Sequence, residues 1–355
     1  MKRKLILPIL LLLFASLACR AAEQAVFGTP TPTASITPSA TPTFTPTPLP
    51  PTATPTPSFE EACPNGDCVE ACLETLGLDL VNESPYSHRD PDFEGNSGQV
   101  LVDYIVTGDE IVEAEKKSVY SNFKSYQDDT ELHQRIWEYY RTIIPARYRK
   151  TISNFYMFTD GKQRILAFVA QSYASPEEWV LSVDVVDAET PQDLTYTLVH
   201  EFGHLVTLGP DQVIPSEAIF ENPGDEQIWR QEYDACETYF PGEGCSVPDA
   251  YIDAFFTKFW EDIYREWVRI QLQEDPDSYE TLIEEFYEVY QDQFVSDYAV
   301  TNPEEDIAES FTFFVLTKKP EANKISDEKI LLFYEYPELV SLRLDIIQGI
   351  CGYNK

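Results

Sequence analysis

Residues 190–210 read TPQDLTYTLVHEFGHLVTLGP, and the rest of the chain is best read outward from them. Thr190 can cap a helix, Pro191 fits its first position, Asp193 supplies a capping-box carboxylate and Gly209-Pro210 ends it. Along the helix so bounded, Leu198, Val199, Phe202, Leu205 and Val206 can pack inward. His200 and His204 lie one turn apart on one face, close enough for both imidazoles to bind a single Zn²⁺, and Glu201 can reach a water on that ion. The pattern His-Glu-x-x-His is the outline of a zinc hydrolase. The plainer alternative is a surface helix that carries His, Glu and His by accident. The chain has only four histidines, and two are here.

On the N-terminal side, residues 99–106 and 151–186 alternate apolar and polar or run richly aliphatic, which predicts strands. Asp160-Gly161 reads as a hairpin turn between 155–158 and 165–169. A helix is expected over 129–144, stopping near Pro145. The last strand, 179–186, leads straight into the His-Glu-x-x-His helix, where it could pair with an extended peptide. On the C-terminal side, Ile252, Phe255, Phe256, Phe259, Trp260, Ile263, Trp267 and Ile270 recur at helical spacing between 249 and 274, and Pro276 closes the run. This aromatic stripe reads as core rather than as a ligand set. Further helices are expected over 278–293, 303–316, 327–335 and 337–350. The fold class is therefore α+β: a mixed β-sheet lobe with the metal helix (99–208) and a mostly helical lobe (209–355).

Three protein ligands and a water make up a typical hydrolytic zinc site. His88, in a loop, and His133, on a polar helix, sit in no patterned context and read as surface histidines. The better source is 297–311, DYAVTNPEEDIAESF. Asn302 and Pro303 start a helix there, so Glu305 and Glu309 stack one turn apart while Ile307, Phe311 and Phe314 bury another face. Two carboxylates beside a core-facing surface repel unless something positive lies between or opposite them. An acidic first turn that satisfies the helix dipole is the competing explanation; it accounts for Glu304, Glu305 and Asp306 more easily than for Glu309.

HEFGH followed far downstream by Tyr-x-x-x-Asn-x-x-Glu-x-x-Ala-Glu-x-Phe resembles the gluzincin metallopeptidases, and most of all the subgroup of anthrax lethal factor and the Pro-Pro endopeptidases. The resemblance covers two short motifs, about 20 residues. It implies a zincin-like fold with His200, His204 and Glu305 as metal ligands and one catalytic Zn²⁺. It also implies Glu201 as general base, Tyr298 as a hydrogen-bond donor to the transition state, and Glu309 behind the ligands, orienting His200 or His204. The chain departs from the subgroup in spacing, because Glu305 follows His204 by 101 residues, well beyond the usual interval. Cleavage between prolines is not implied.

The ends speak to location. Lys2, Arg3 and Lys4 precede an apolar run over 5–17, then Ala18 and Cys19, which reads as a bacterial lipoprotein signal (1–18) with Cys19 as the lipidated residue, although Ser16 replaces the usual Leu. Cleavage at an ordinary signal peptide, with Cys19 a bystander, is the alternative. Residues 19–58 form a tether: 21 of the 29 residues in 29–57 are Thr or Pro, so no core can form, and extended polyproline at about 3.1 Å per residue would reach roughly 90 Å. Removing 1–18 takes the net charge from −36 to −39. That argues against nucleic-acid binding and against electrostatic adhesion to anionic lipid. Clustered carboxylates can also hold structural Ca²⁺, but no loop has EF-hand spacing. Six cysteines remain besides Cys19. Cys236 and Cys245 are expected to pair across a Pro-Gly-rich loop, and Cys63, Cys68 and Cys72, in the segment 59–98, read as disulfide partners, one reaching a distant cysteine.

Together these features predict a monomeric zinc endopeptidase, lipid-anchored and facing the extracellular side, acting on a protein or peptide substrate. Two alternatives are a zinc-bearing surface interaction module without proteolysis and a zinc hydrolase of another amide, such as cell-wall peptide.

Overall fold

A computed structural model describes Cys72 and residues 98–161, 165–189, 191–273 and 275–353. The signal segment with Cys19, the tether, Cys63, Cys68, His88 and Thr190 lie outside the described residues.

Five strands, β1 (Gln99–Thr107), β2 (Glu110–Lys116), β3 (Ile152–Thr159), β4 (Ala167–Gln171) and β5 (Trp179–Asp184), form one mixed sheet in the order β2-β1-β3-β5-β4. Only β3 and β5 run parallel; the other neighbours are antiparallel. Alternation sorts the side chains by face. Phe155, Met157, Trp179, Leu181 and Val183 join the main core, while Tyr156, Phe158 and Val180 meet Val100 in a small cluster on the other face. All six residues of β5 are buried, as expected for a central strand covered on both sides.

This order corrects two expectations. β3 and β4 are not a hairpin. Gly161 has φ 81°, but β4 does not pair with β3; β5, which follows β4 through residues 172–178, lies between them. Nor can β5 pair with a bound peptide, since β3 and β4 take up both of its edges.

The described residues contain eleven α-helices. The short α1 (Lys124–Asp128) precedes α2 (Thr130–Ile143), which Asp129 caps by accepting the N–H of Leu132. The metal-motif helix is α3 (Pro191–Leu208). Beyond it a two-stranded sheet, β6 (Val213–Pro215) with β7 (Gly244–Ser246), brackets α4 (Glu217–Glu221) and α5 (Glu226–Ala235), none of which the periodicity announces. The aromatic run is not one helix. It divides into α6 (Tyr251–Phe259) and α7 (Tyr264–Gln271), with a turn at 260–263. Trp260, in the turn, and Trp267 are both fully buried, their rings edge to face. Its core assignment holds. Then follow α8 (Pro276–Tyr290), α9 (Pro303–Leu316), α10 (Ile325–Phe333) and α11 (Pro337–Tyr353), close to the expected ranges.

One core runs from sheet to helices: Phe155, Phe202, Trp260, Phe311 and Ile347 belong to the same cluster. Disulfides join Cys236 to Cys245 and Cys72 to Cys351 near the end of α11. Among the described residues no helix is long and apolar enough to cross a membrane.

Candidate metal centre

Two helices build the site. Between α3 and α9 the backbones come close because residue 203 is glycine: a Cβ there would lie 3.1 Å from Phe311 Cδ1 and 3.3 Å from Ala308 Cα. Phe202 and Phe311 pack beside this contact, ring centroids 6.3 Å apart. The approach carries the imidazoles of α3 to the carboxylates of α9.

His200 Nε2 lies 3.1 Å from Glu305 Oε2 and 3.2 Å from His204 Nε2, and His204 Nε2 is 3.4 Å from Glu305 Oε2. The three atoms form a near-equilateral triangle, and the group could hold a metal ion. On the opposite side of the His200 ring, Nδ1 is 2.9 Å from Glu309 Oε1. The second Glu309 oxygen accepts a 2.5 Å hydrogen bond from Ser296 Oγ, and Glu309 is fully buried. Glu309 thus lies behind His200, not His204. Glu305 is oriented by its helix start: the side chain of Asn302 accepts the Glu305 N–H at 2.7 Å, and Pro303 occupies the first turn. Tyr298 begins the turn before Asn302, with its ring centroid 6.0 Å from that of His200. Glu201 is buried on α3.

Burial alone would push the His200 imidazole to titrate below its usual range, but hydrogen bonds to Glu305 and Glu309 outweigh it and lift the group to about 10. Glu305 moves the other way. Burial raises it, while the charges and hydrogen bonds of His204 and His200 win and hold it well below the ordinary carboxylate range. The site therefore demands positive charge. With Glu309 accepting the Nδ1 proton of His200, the Nε2 lone pair of His200 faces the lone pairs of Glu305 and His204, an arrangement that repels unless a proton or a cation sits among them.

The spacing of the donors is compatible with Zn²⁺. Tetrahedral Zn²⁺ with bonds of about 2.0–2.1 Å separates its ligands by about 3.3–3.4 Å, and the three edges here run from 3.1 to 3.4 Å. Two nitrogens and one carboxylate oxygen suit a borderline ion such as zinc.

His133 requires correction. It is not a surface residue but fully buried on α2, its Nδ1 2.8 Å from the Tyr104 hydroxyl and its Nε2 2.8 Å from the Tyr126 carbonyl, far from any ligand role. Several neighbours of the site carry no signal in sequence. Ser296 lies just upstream of the quoted motif, and Gly203 is one of the two unspecified positions within HEFGH. The acidic first turn of α9 is divided among partners. Glu304 accepts from the Tyr239 hydroxyl, Glu305 faces the histidines, and Asp306 accepts from Trp260 Nε1 and pairs with Lys329. Burial raises Glu304 to about 8 and Asp306 to about 6, the latter against the pull of Lys329. A second carboxylate group, Asp160, Asp184 and Asp187, joins the ends of β3 and β5, and Asp184 accepts the N–H groups of Asp160 and Val186.

Comparison with protein-family models, with curated proteins and with solved structures finds no match to this chain.

Proposed function

We propose that the protein is a zinc-dependent endopeptidase with a zincin-like active site. The observation that carries this reading is the triangle of His200 Nε2, His204 Nε2 and Glu305 Oε2, with both histidines buried, His200 backed by Glu309, and Glu201 next to His200 in sequence. His200, His204 and Glu305 would hold Zn²⁺. When bound, the ion supplies Lewis acidity, polarising a scissile carbonyl and acidifying water towards a pKa of about 7.

The chain's own groups supply the rest. Glu201, adjacent to His200 on α3, takes the proton from the attacking water and returns it to the leaving amine. Tyr298 donates a hydrogen bond to the oxyanion that develops on the substrate. Glu309 keeps the proton on His200 Nδ1, which leaves Nε2 free to bind the ion. The basic leader ending at Cys19 and the Thr/Pro tether support placement of the enzyme on the outer surface of a cell, held by lipid.

The test is mass spectrometry of a peptide library incubated with the full chain and Zn²⁺, beside a Glu201→Gln variant. Cleavage is expected from the wild type alone, with one zinc retained per chain in both. Equal cleavage by the variant would remove Glu201 from its role, and silence from both with zinc bound would favour an interaction module.

A further inference from the structure

Between His204 and Glu305 the chain spends 100 residues, and part of that stretch returns to touch α9 beside Glu305. Tyr239 lies within the loop closed by Cys236 and Cys245 and is buried. Its hydroxyl donates to Glu304 Oε1 at 2.7 Å, its backbone N–H donates to Asp253 at 2.8 Å, and its ring packs on Phe256 with centroids 4.4 Å apart. Trp260, at the turn between α6 and α7, donates from Nε1 to Asp306 Oδ2 at 2.8 Å. Lys329 of α10 pairs with the same carboxylate, fully buried, its ammonium 4.3 Å from the ring centroid of Phe294.

Successive helical residues point about 100° apart, so Glu304, Glu305 and Asp306 sweep roughly 200° of the α9 surface. Three neighbouring carboxylates compete for one cationic site unless two are held elsewhere. We infer that Tyr239, Trp260 and Lys329 are positioning residues that grip Glu304 and Asp306 from either side and thereby fix the rotation of α9 that presents Glu305 to His200 and His204. The inference rests on the metal-centre reading and assigns a purpose to part of the long spacer: with Lys329 of α10, it holds the two carboxylates that flank the third ligand.

Electrostatics separates this role from a bland one. Replacing Tyr239 by Phe removes no formal charge, and replacing Asp306 and Lys329 together removes one charge of each sign, so neither change alters the formal charge beside the site. Weaker binding together with a changed Co²⁺ spectrum then reports lost orientation. The experiment uses the full chain, titrated with Co²⁺ while its visible ligand-field absorption is followed, and with Zn²⁺ against a chelator; the metal-free melting temperature is measured alongside. Tyr239→Phe is the first variant. The second is the pair Asp306→Asn with Lys329→Met, which removes both buried charges together and keeps an acceptor for Trp260. At least tenfold weaker metal binding is expected in each, with an altered Co²⁺ spectrum and little change in the metal-free melting temperature of Tyr239→Phe. Wild-type or tighter affinity in both variants, whatever their melting temperatures, would overturn the positioning role. A wild type that binds neither ion would overturn the metal centre itself, and the clamp with it.

Discussion

A neutral imidazole satisfies both partners of His133, and a charged one does not. With the proton on Nε2, the ring donates to the Tyr126 carbonyl and accepts from the Tyr104 hydroxyl at Nδ1. Burial lowers its pKa below the ordinary histidine value; the Tyr126 hydrogen bond and Asp129 oppose this, and Lys116 adds to it. A histidine depressed in the folded state contributes stability that is complete above its unfolded value of about 6.5 and is lost as pH falls through that value towards the folded one. Urea unfolding between pH 7.5 and 5 should therefore show a steeper loss in the wild type than in His133→Gln; parallel profiles would sink the assignment. This burial is not legible in residues 129–144, because the apolar stripe of α2 runs beside His133 without marking it. His200, Glu201 and His204 are legible because their relation is local, one helical turn. Asp306 and Lys329 are not, since a buried ion pair formed across 23 residues and two helices leaves no period in the sequence.

The contact between α3 and α9 positions the ligands, and it depends on the absence of a side chain at 203. Gly203→Val would drive two methyl groups into Phe311 and the Ala308 backbone, which already stand at the limit of contact. Overpacking of this kind costs about 1–3 kcal/mol. Because the strain falls between the metal helices, it should also weaken metal binding more than a core substitution of equal cost elsewhere, such as Ile347→Ala in α11. Melting temperature and metal affinity measured on both variants decide the point, and a variant at 203 that binds metal like the wild type would show that α9 is not held by this contact. Element boundaries were readable where chemistry marks them: Asp129 before α2, Asn302-Pro303 before α9 and Gly209 after α3. Sheet order was not, because alternation identifies strands but is silent on neighbours, and β5 slips between β3 and β4. The break between α6 and α7 has neither Gly nor Pro to announce it; within it Trp260 donates from Nε1 to Asp306.

For the whole molecule, charge is the property most openly written in the sequence. Residues 59–355 hold 60 of the 61 carboxylates and 21 of the 25 basic side chains, so the folded body must carry strong self-repulsion at neutral pH. The α+β class was equally open, while the continuity of one core across both lobes emerged only from the packing of α9 and α11. Two electrostatic terms respond oppositely to salt. Exposed pairs such as Lys116–Asp128 and Lys124–Asp128 contribute little and weaken as ions are added. Repulsion among the excess carboxylates is spread over the surface and is screened as the Debye length falls from about 10 Å at 0.1 M to about 3 Å at 1 M. With so few cations to pair, the second term should win. Melting in NaCl from 0.1 to 1 M is expected to shift upward by about 2–3 °C, the size that 1–2 kcal/mol produces in a domain of this scale. A downward shift would mean that specific ion pairs, not net charge, govern the surface, and the acidic excess would then need a bound cation to explain how it is tolerated.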